Sequence, residues 1–522
     1  MRLALLFSAL GCGLAACSVG PDFHTPAAPG SAGYGVAASG NVAPEPTVSV
    51  AVPIGAAQQF KPGEQVRADW WRLYRSPALD ALIERALVAS PTVASAAATL
   101  RNAQETLQAE TSLRGYPKVD ASLGANRQRI STAYFGNPNP TTNLFTLYNA
   151  SVNVSYTFDF NGAISRGLEG VAAQIDYQTF QLEAARLALT SNVITAAVTE
   201  ASLRAQIAAT TDALDAQTRQ LELVKKQFGL GGVSRSEVLT QETLVAQSAA
   251  LLPPLRRQLS QARHQLAMLV GDAPDANLPE FDLASFSLPE ELPLSIPSEL
   301  VRQRPDIRAA EAQWHVASAQ LGVATANLYP QLTLSASVGS QSLTQGAMFG
   351  PGSMVSSLSG SLLQPIFHAG ELQARKRAAQ ASYEAAQAQY QQTVLVGLQS
   401  VADALRALDE DARTLQAQAA VVSSSANTLA LSREQFQLRA VSFLVVLDAQ
   451  RHYQIARVAL AQAQSARLSD TAALFQAIGG GWWNRPVADG SIADPAPLPH
   501  SAKPLASKAA VGTLDTVAQG LQ

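Results

Sequence analysis

The chain is poor in cysteine, in aromatic side chains and in charge. Its 522 residues include 2 cysteines, 6% aromatics and 15% charged side chains. Both cysteines, Cys12 and Cys17, lie near the start, too few for a disulfide framework or a cysteine-based metal site. Six histidines, at 24, 264, 315, 368, 452 and 500, are scattered without ligand spacing. His315 and His368 read as surface or interfacial residues. There is no Gly-x-Ser-x-Gly elbow and no Gly-Lys-Ser/Thr phosphate loop. Gly229 to Gly232 is glycine-rich but falls between two helical stretches with no preceding strand, so a tight turn explains it. These absences predict neither catalysis nor a metal or cofactor. A formal charge of −3 and a pI near 6.1 leave no basic surface for nucleic acid. No segment offers ~18 uninterrupted apolar residues, which excludes a membrane-spanning helix. What remains abundant is Ala, Leu, Gln and Ser, a composition suited to long helices packed closely through small side chains.

The first residues carry a processing signal. Arg2 precedes the mainly apolar run Leu3 to Leu10, and Leu14-Ala15-Ala16-Cys17 follows a Gly-Cys-Gly break. That tetrapeptide resembles a bacterial lipobox, which implies a signal peptide over 1–16 and acylation of Cys17. Ser18 stands where an aspartate would suggest inner-membrane retention, so the outer membrane is implied. Residues 17–68 then read as a lipid-anchored tether, because 24 to 60 is Ala-, Gly-, Pro- and Val-rich without periodicity. From Asn484 to 522 the chain again reads as a disordered tail.

Between these ends lies an internal duplication. QFGLGGVSRSEVL at 227–239 returns 208 positions later as QFQLRAVSFLVVL at 435–447. The same offset relates Gly162 to Gly370 and Val270-Gly271 to Ile478-Gly479, dividing the body into repeats over 69–298 and 299–483. Each repeat holds two segments of period two, the signature of strands. They are Lys118 to Asn126 and Asn149 to Phe160, then the neighbourhoods of 332–338 and 358–362. Apolar residues alternate with Ser, Thr and Asn, as in a membrane barrel with a wet lumen. A soluble half-buried sheet has the same alternation. Four strands cannot close a barrel, and open edges are not tolerated in lipid, so three chains would be needed.

After each strand pair comes a proline-free stretch, Ala163 to Phe228 and Glu371 to Gln437. Leu182, Leu189, Ala196 and Leu203 recur at seven-residue steps, coiled-coil spacing. At ~1.5 Å per residue each helix would reach about 100 Å. Shorter pieces of roughly 35 and 24 residues would add end to end to a matching rod. Pro253-Pro254 should kink the returning helix of the first repeat.

Several segments carry a resemblance. They are Asp69-Trp70-Trp71-Arg72-Leu73-Tyr74, Arg304-Pro305-Asp306-Ile307-Arg308, Tyr329-Pro330, Pro365-Ile366-Phe367 and Ile478-Gly479-Gly480-Gly481-Trp482, with Cys17 to Phe23 as a mature start. With these the chain resembles the TolC-like outer-membrane efflux lipoproteins of RND-type pumps, often called the NodT group. The resemblance implies a mainly α protein with a transmembrane β-barrel: a homotrimer whose 12-strand barrel, four strands per chain, continues into a periplasmic α-helical barrel of two tandem repeats. It implies a passive duct joined to a periplasmic adaptor protein and an inner-membrane RND transporter, conducting drugs or other small toxic compounds outward. The hairpin tips at Gly231, Gly232, Val233 and Ser234 and at Ala440, Val441 and Ser442 would contact the adaptor. Leu444 and Asp448 would line the resting aperture, with Glu237 at a comparable acidic position. Arg439 stands where the family has glycine, so a different bend or a salt bridge is expected at the second tip. Two other readings stay open: the same fold serving type I protein secretion or metal-ion efflux, and a lipid-anchored coiled-coil scaffold without a pore.

Overall fold

The computed structural model describes residues 19–27, 34, 44–131, 136 and 141–485. Cys17 and the segment 486–522 lie outside the described residues.

The chain runs β1 (Gln59–Pro62), α1 (Pro77–Ala89), α2 (Pro91–Gly115), β2 (Lys118–Ser131), β3 (Thr142–Phe158), α3 (Ala163–Gly229) and α4 (Arg235–Val270). The second repeat follows as β4 (Glu291–Leu294), α5 (Pro297–Gln303), α6 (Pro305–Ala326), β5 (Gln331–Ser342), β6 (Met354–Leu363), α7 (Glu371–Gln437) and α8 (Phe443–Ala477). Both proline-free stretches fold as single helices of 67 residues, α3 and α7. No described helix is long and apolar enough to cross a membrane.

The shorter helices splice into rods. Gly271 closes α4 in the left-handed conformation, and a Cβ there would lie 2.6 Å from the carbonyl oxygen of Ala89. The end of α4 therefore abuts the start of α2, where Pro91 opens the helix with the fixed φ and absent N–H suited to that position. In the second repeat Arg304 donates from Nη1 to the Ala477 carbonyl at 2.7 Å. A cation thus meets the C-terminus of α8 just where α6 begins. The returning helix of the first repeat carries two prolines that α8 lacks. α4 passes through Pro253 and Pro254, where a kink was expected, as one helix. The carbonyls those prolines leave without an N–H partner belong to Ala249 and Ala250, both exposed, where water can satisfy them.

The main core is a belt around the middle of the rods. Trp70 stacks on Phe475 with centroids 4.8 Å apart, and Tyr74 donates its hydroxyl hydrogen to the Leu468 carbonyl at 2.9 Å. Phe281, Leu292, Leu294 and Leu300 close the same cluster against Val193, Ile194 and Leu405. Here the expected tether needs correcting over its last part. β1 pairs in parallel with β4, Gln59 opposite Glu291, and the preceding residues fold over α8. Arg467, fully buried, donates to the Ile54 carbonyl (2.9 Å), to Thr47 Oγ1 (3.0 Å) and to the Ala56 carbonyl (2.6 Å). Gln58 Nε2 adds bonds to the Pro289 carbonyl and Thr471 Oγ1, both 3.0 Å. Apolar periodicity was absent because polar groups carry the docking. At the other end Arg485, expected in the tail, pairs with Glu183 at 2.9 Å and belongs to the packed body.

The four long strands form one antiparallel sheet in the order β2-β3-β5-β6. Its register opposes Val119 to Val154, Val152 to Val338 and Ala336 to Leu358. Period two then separates the faces. One carries Val119, Leu123, Val152, Leu334, Val338, Leu358 and Leu362. Leu123 and Leu358 are each 76% exposed. The other carries hydroxyls and amides that bond across strands: Ser122 with Ser151 (2.9 Å), Thr157 with Thr333 (3.1 Å) and Ser337 with Ser357 (2.8 Å). Within the chain β2 and β6 each have a neighbour on one side only.

Candidate aperture and membrane sheet

The two hairpin tips are built from the same hydrogen bonds. At the first, Gly231 takes φ +75°, its N–H donates to the Phe228 carbonyl (2.9 Å), and Gly232 N–H donates to the Gln227 carbonyl (2.8 Å). At the second, Arg439 takes φ +61°, its N–H donates to the Phe436 carbonyl (2.9 Å), and Ala440 N–H donates to the Gln435 carbonyl (2.9 Å). This is the Schellman closure of a helix end, and it imposes the left-handed residue whatever its side chain. The different bend expected from Arg439 is therefore absent. The turn is conserved in shape at a backbone cost of about 1–2 kcal/mol. Arg439 makes no ion pair among the described residues.

The helices that leave the tips begin differently. Ser234 and Glu237 form a capping box: Glu237 N–H donates to Ser234 Oγ (3.3 Å) and Ser234 N–H donates to Glu237 Oε2 (2.9 Å). The Glu237 carboxylate is thus engaged in capping its own helix. Ser442 opens α8 without a side-chain cap bond, and Val445 stands where Glu237 stands in the first repeat. Gly231, Gly232, Ser234, Ala440 and Ser442 are exposed, and Val233 and Val441 are half-buried.

The first turns of α8 have two faces. Phe443, Val446, Leu447 and Ala449 are buried with Val224 and Leu429, and Val233 and Val238 of the first hairpin pack against them. The two hairpins therefore share one small core at their tips. Leu444, 65% exposed, and Asp448 lie on the opposite face, one helical turn apart. Asp448 Oδ1 sits 3.2 Å from Arg451 Nη2 and 3.9 Å from His452 Nε2. The pairing is legible in sequence as the i+3 and i+4 spacing of Arg451 and His452. Beside them runs an open groove of about 690 Å³ between α7 and α8, lined by Val421, Thr428, Val445, Asp448 and His452. Among the described residues no group of three His, Cys, Asp or Glu side chains is placed to hold a metal ion.

Near the sheet, the residues that follow Cys17 are tied down. Val19 N–H donates to the Asn161 carbonyl at 3.3 Å, just beyond the end of β3. Asp22 pairs with Arg166, and Phe23 stacks on the His315 ring with centroids 4.4 Å apart. His315, expected at a surface or interface, bridges from α6 to Glu169 of α3 through Nε2 at 2.7 Å. Val19 to Phe23 are thereby held at the junction of sheet and helices.

A sheet with one apolar face and one polar face, continued by rods about 100 Å long that end in exposed paired turns, defines the subunit of an outer-membrane channel. The chain belongs to the outer membrane efflux protein family, which matches residues 82–272 and 296–480. It is 31% identical over 420 residues to the pyoverdine export outer membrane protein OpmQ of Pseudomonas aeruginosa, covering 79% of this chain and 87% of that one. It is 27% identical over 471 residues to the toluene efflux pump outer membrane protein TtgI of Pseudomonas putida, covering 90% and 96%. Among solved structures, the outer-membrane channel OprN matches at a TM-score of 0.78 and 25% identity, over 89% of this chain and all of that one. The CmeC channel of Campylobacter jejuni shares the fold at a TM-score of 0.78 and 19% identity, over 89% and 95%.

The protein is an outer-membrane efflux channel that extends into the periplasm. Its fold is mainly α with a transmembrane β-barrel, to which each chain of the trimer gives four strands of twelve. The helical barrel of two tandem repeats continues it.

Proposed function

We propose that three copies of this chain close around a threefold axis into a passive duct whose resting constriction is made by Leu444 and Asp448. An inner-membrane RND transporter, reached through a periplasmic adaptor on the tips, supplies the energy, and the chain does no chemistry of its own. The observation that carries this reading is the division of faces at the start of α8. Phe443, Val446 and Leu447 are used up in packing, while Leu444 and Asp448 are left facing outward beside the tip. Threefold repetition turns one exposed leucine into an apolar ring and one carboxylate into a charged ring. Rings of this kind exclude solutes and favour cations. Arg451 tempers the charge, so selectivity should be modest. The ion pair itself is exposed and adds little stability; its effect lies in where it sits. Lumen-facing Ser, Thr and Asn side chains offer weak, general hydrogen bonding. Relatives named for exporting pyoverdine and toluene accord with a duct that passes what its pump delivers. Acylation at Cys17 would complete the anchoring begun by Val19, Asp22 and Phe23.

Cross-linking tests the aperture. With Cys17 acylated, Leu444→Cys supplies the only free thiol of the mature chain, and a bismaleimide spanning ~10 Å should join protomers into covalent dimers and trimers. Inserted trimers that stay uncross-linked would remove Leu444 from the axis.

A further inference from the structure

The sheet carries few charges, and their placement is uneven. Across β2, β3, β5 and β6 the charged residues are Lys118, Asp120, Arg127 and Arg129. Lys118 and Asp120 neutralise one another at 3.0 Å on the polar face, at the helix-proximal end of β2. Arg127 and Arg129 have the parity of Val119 and Leu123, so they lie on the apolar face. Both are exposed, and neither has an ion-pair partner among the described residues.

Register fixes their height. On the apolar face β3 runs from Phe158, opposite Leu332, to Tyr148, opposite Ser342. Those ten steps cover ~34 Å along the strand, and a tilt of about 40° reduces that to ~26 Å, close to the apolar band of an outer-membrane barrel. Arg127 pairs with Thr146 and Arg129 with Leu144, the next rows outward, beyond the end of β5. The helices leave from the opposite end of the strands, so these rows face the cell exterior. A guanidinium on the lipid face costs about 2–4 kcal/mol at mid-membrane and about 0–1 near the interface. The two arginines sit where that cost ends and head groups begin.

We infer that Arg127 and Arg129 form a binding site for the phosphate of an outer-leaflet lipid headgroup, one site per chain. Side chains two residues apart on one strand start ~7 Å apart and can converge on one phosphate from both sides. Guanidinium presents paired N–H donors that match phosphate oxygens in a fixed fork, which an ammonium does not. Lipid acyl chains would then run down the face of Leu123 and Val119. The site rests on the outer-membrane channel reading, since only membrane insertion gives that face lipid neighbours.

The test uses the full-chain trimer in neutral phosphatidylcholine nanodiscs containing a small fraction of diphosphorylated glucosamine lipid (lipid A), with retained lipid counted by native mass spectrometry. Wild type should retain the phosphorylated lipid about tenfold better than the Arg127→Gln/Arg129→Gln variant. It should also prefer that lipid about tenfold over its dephosphorylated form. The double lysine variant should fall between. Equal retention by wild type and the glutamine variant, or equal retention of the two lipids, would overturn the site. Displacement of the lipid by millimolar inorganic phosphate would overturn the lipid as its source. Single-channel conductance of the same preparations separates the two readings: open channels with no lipid preference sink the site alone, whereas loss of insertion in wild type sinks both.

Discussion

Replacing Arg467 with methionine should free the chain from residue 44 to 58 while leaving the long helices paired. The guanidinium is fully buried and gives three hydrogen bonds to Ile54, Thr47 and Ala56. Burial pulls its pKa down to about 10, opposed by the nearby Asp411 carboxylate, yet it remains charged at neutral pH. Hydrogen bonds from a charged donor contribute about 1.5–3 kcal/mol each, and they are not additive. Removing it leaves the buried Ile54 carbonyl without a donor, at about 1–3 kcal/mol, while Thr47 Oγ1 keeps the Gln58 N–H and Ala56 is half-buried. Methionine restores much of the volume, so the loss is polar and not a cavity. What then holds the segment is Gln58 Nε2, with two bonds, Gln464, whose Nε2 donates to the Pro53 carbonyl at 3.1 Å, and the β1–β4 pairing beyond them. A local loss of about 1–3 kcal/mol should let the segment open more often against those ties. Limited proteolysis of the purified trimer should show new cleavage within 44–58 in the variant, with lysine giving an intermediate pattern. Identical protease patterns and unchanged melting temperature would refute the assignment of this segment to the packed body.

The carboxyl of Asp411 is pushed up to about 7, chiefly by burial, then by its hydrogen bond to Asp470 and that group's charge, with Arg467 opposing. The folded protein therefore keeps a proton that an unfolded aspartate, near 3.8, gives up. Its contribution is fully present below about pH 4 and lost as pH rises toward 7. Asp411→Asn should melt higher than wild type at pH 8 and equally near pH 4; a lower melting point at pH 8 would contradict this. Arg439→Gly should relieve left-handed strain at the second tip and stabilise by about 1 kcal/mol, read as a raised midpoint in denaturant. Gly271→Ala should do the reverse, since its Cβ would meet the Ala89 carbonyl at 2.6 Å; an unchanged melting point would show that the splice of α4 onto α2 is loose.

The parts of the fold that repeat a physical period were legible in sequence. Strand alternation placed β2, β3, β5 and β6, and absence of proline bounded α3 and α7 to within a residue. The strands extend further than alternation suggested, because Arg127 to Ser131 and Thr142 to Thr146 carry polar or charged residues on both faces and lose the period. The docking of 44–58 left no trace in hydrophobicity, since Thr47, Gln58 and Arg467 are polar and the bonds span more than 400 residues of sequence. At the aperture, the resemblance supplied Leu444 and Asp448, and only geometry added Arg451. The capping role of Glu237 is legible as Ser-x-x-Glu, and the resemblance to a pore-lining position masks it.

Single-channel conductance in a planar bilayer, comparing wild type with Asp448→Ala, addresses the central claim most directly. The trimeric duct narrowed at its tips predicts small, weakly cation-preferring openings in wild type that grow and lose their preference in the variant. A confirmed membrane-inserted trimer that conducts identically with and without Asp448 would contradict the aperture, and one in which neither protein conducts would contradict the open duct.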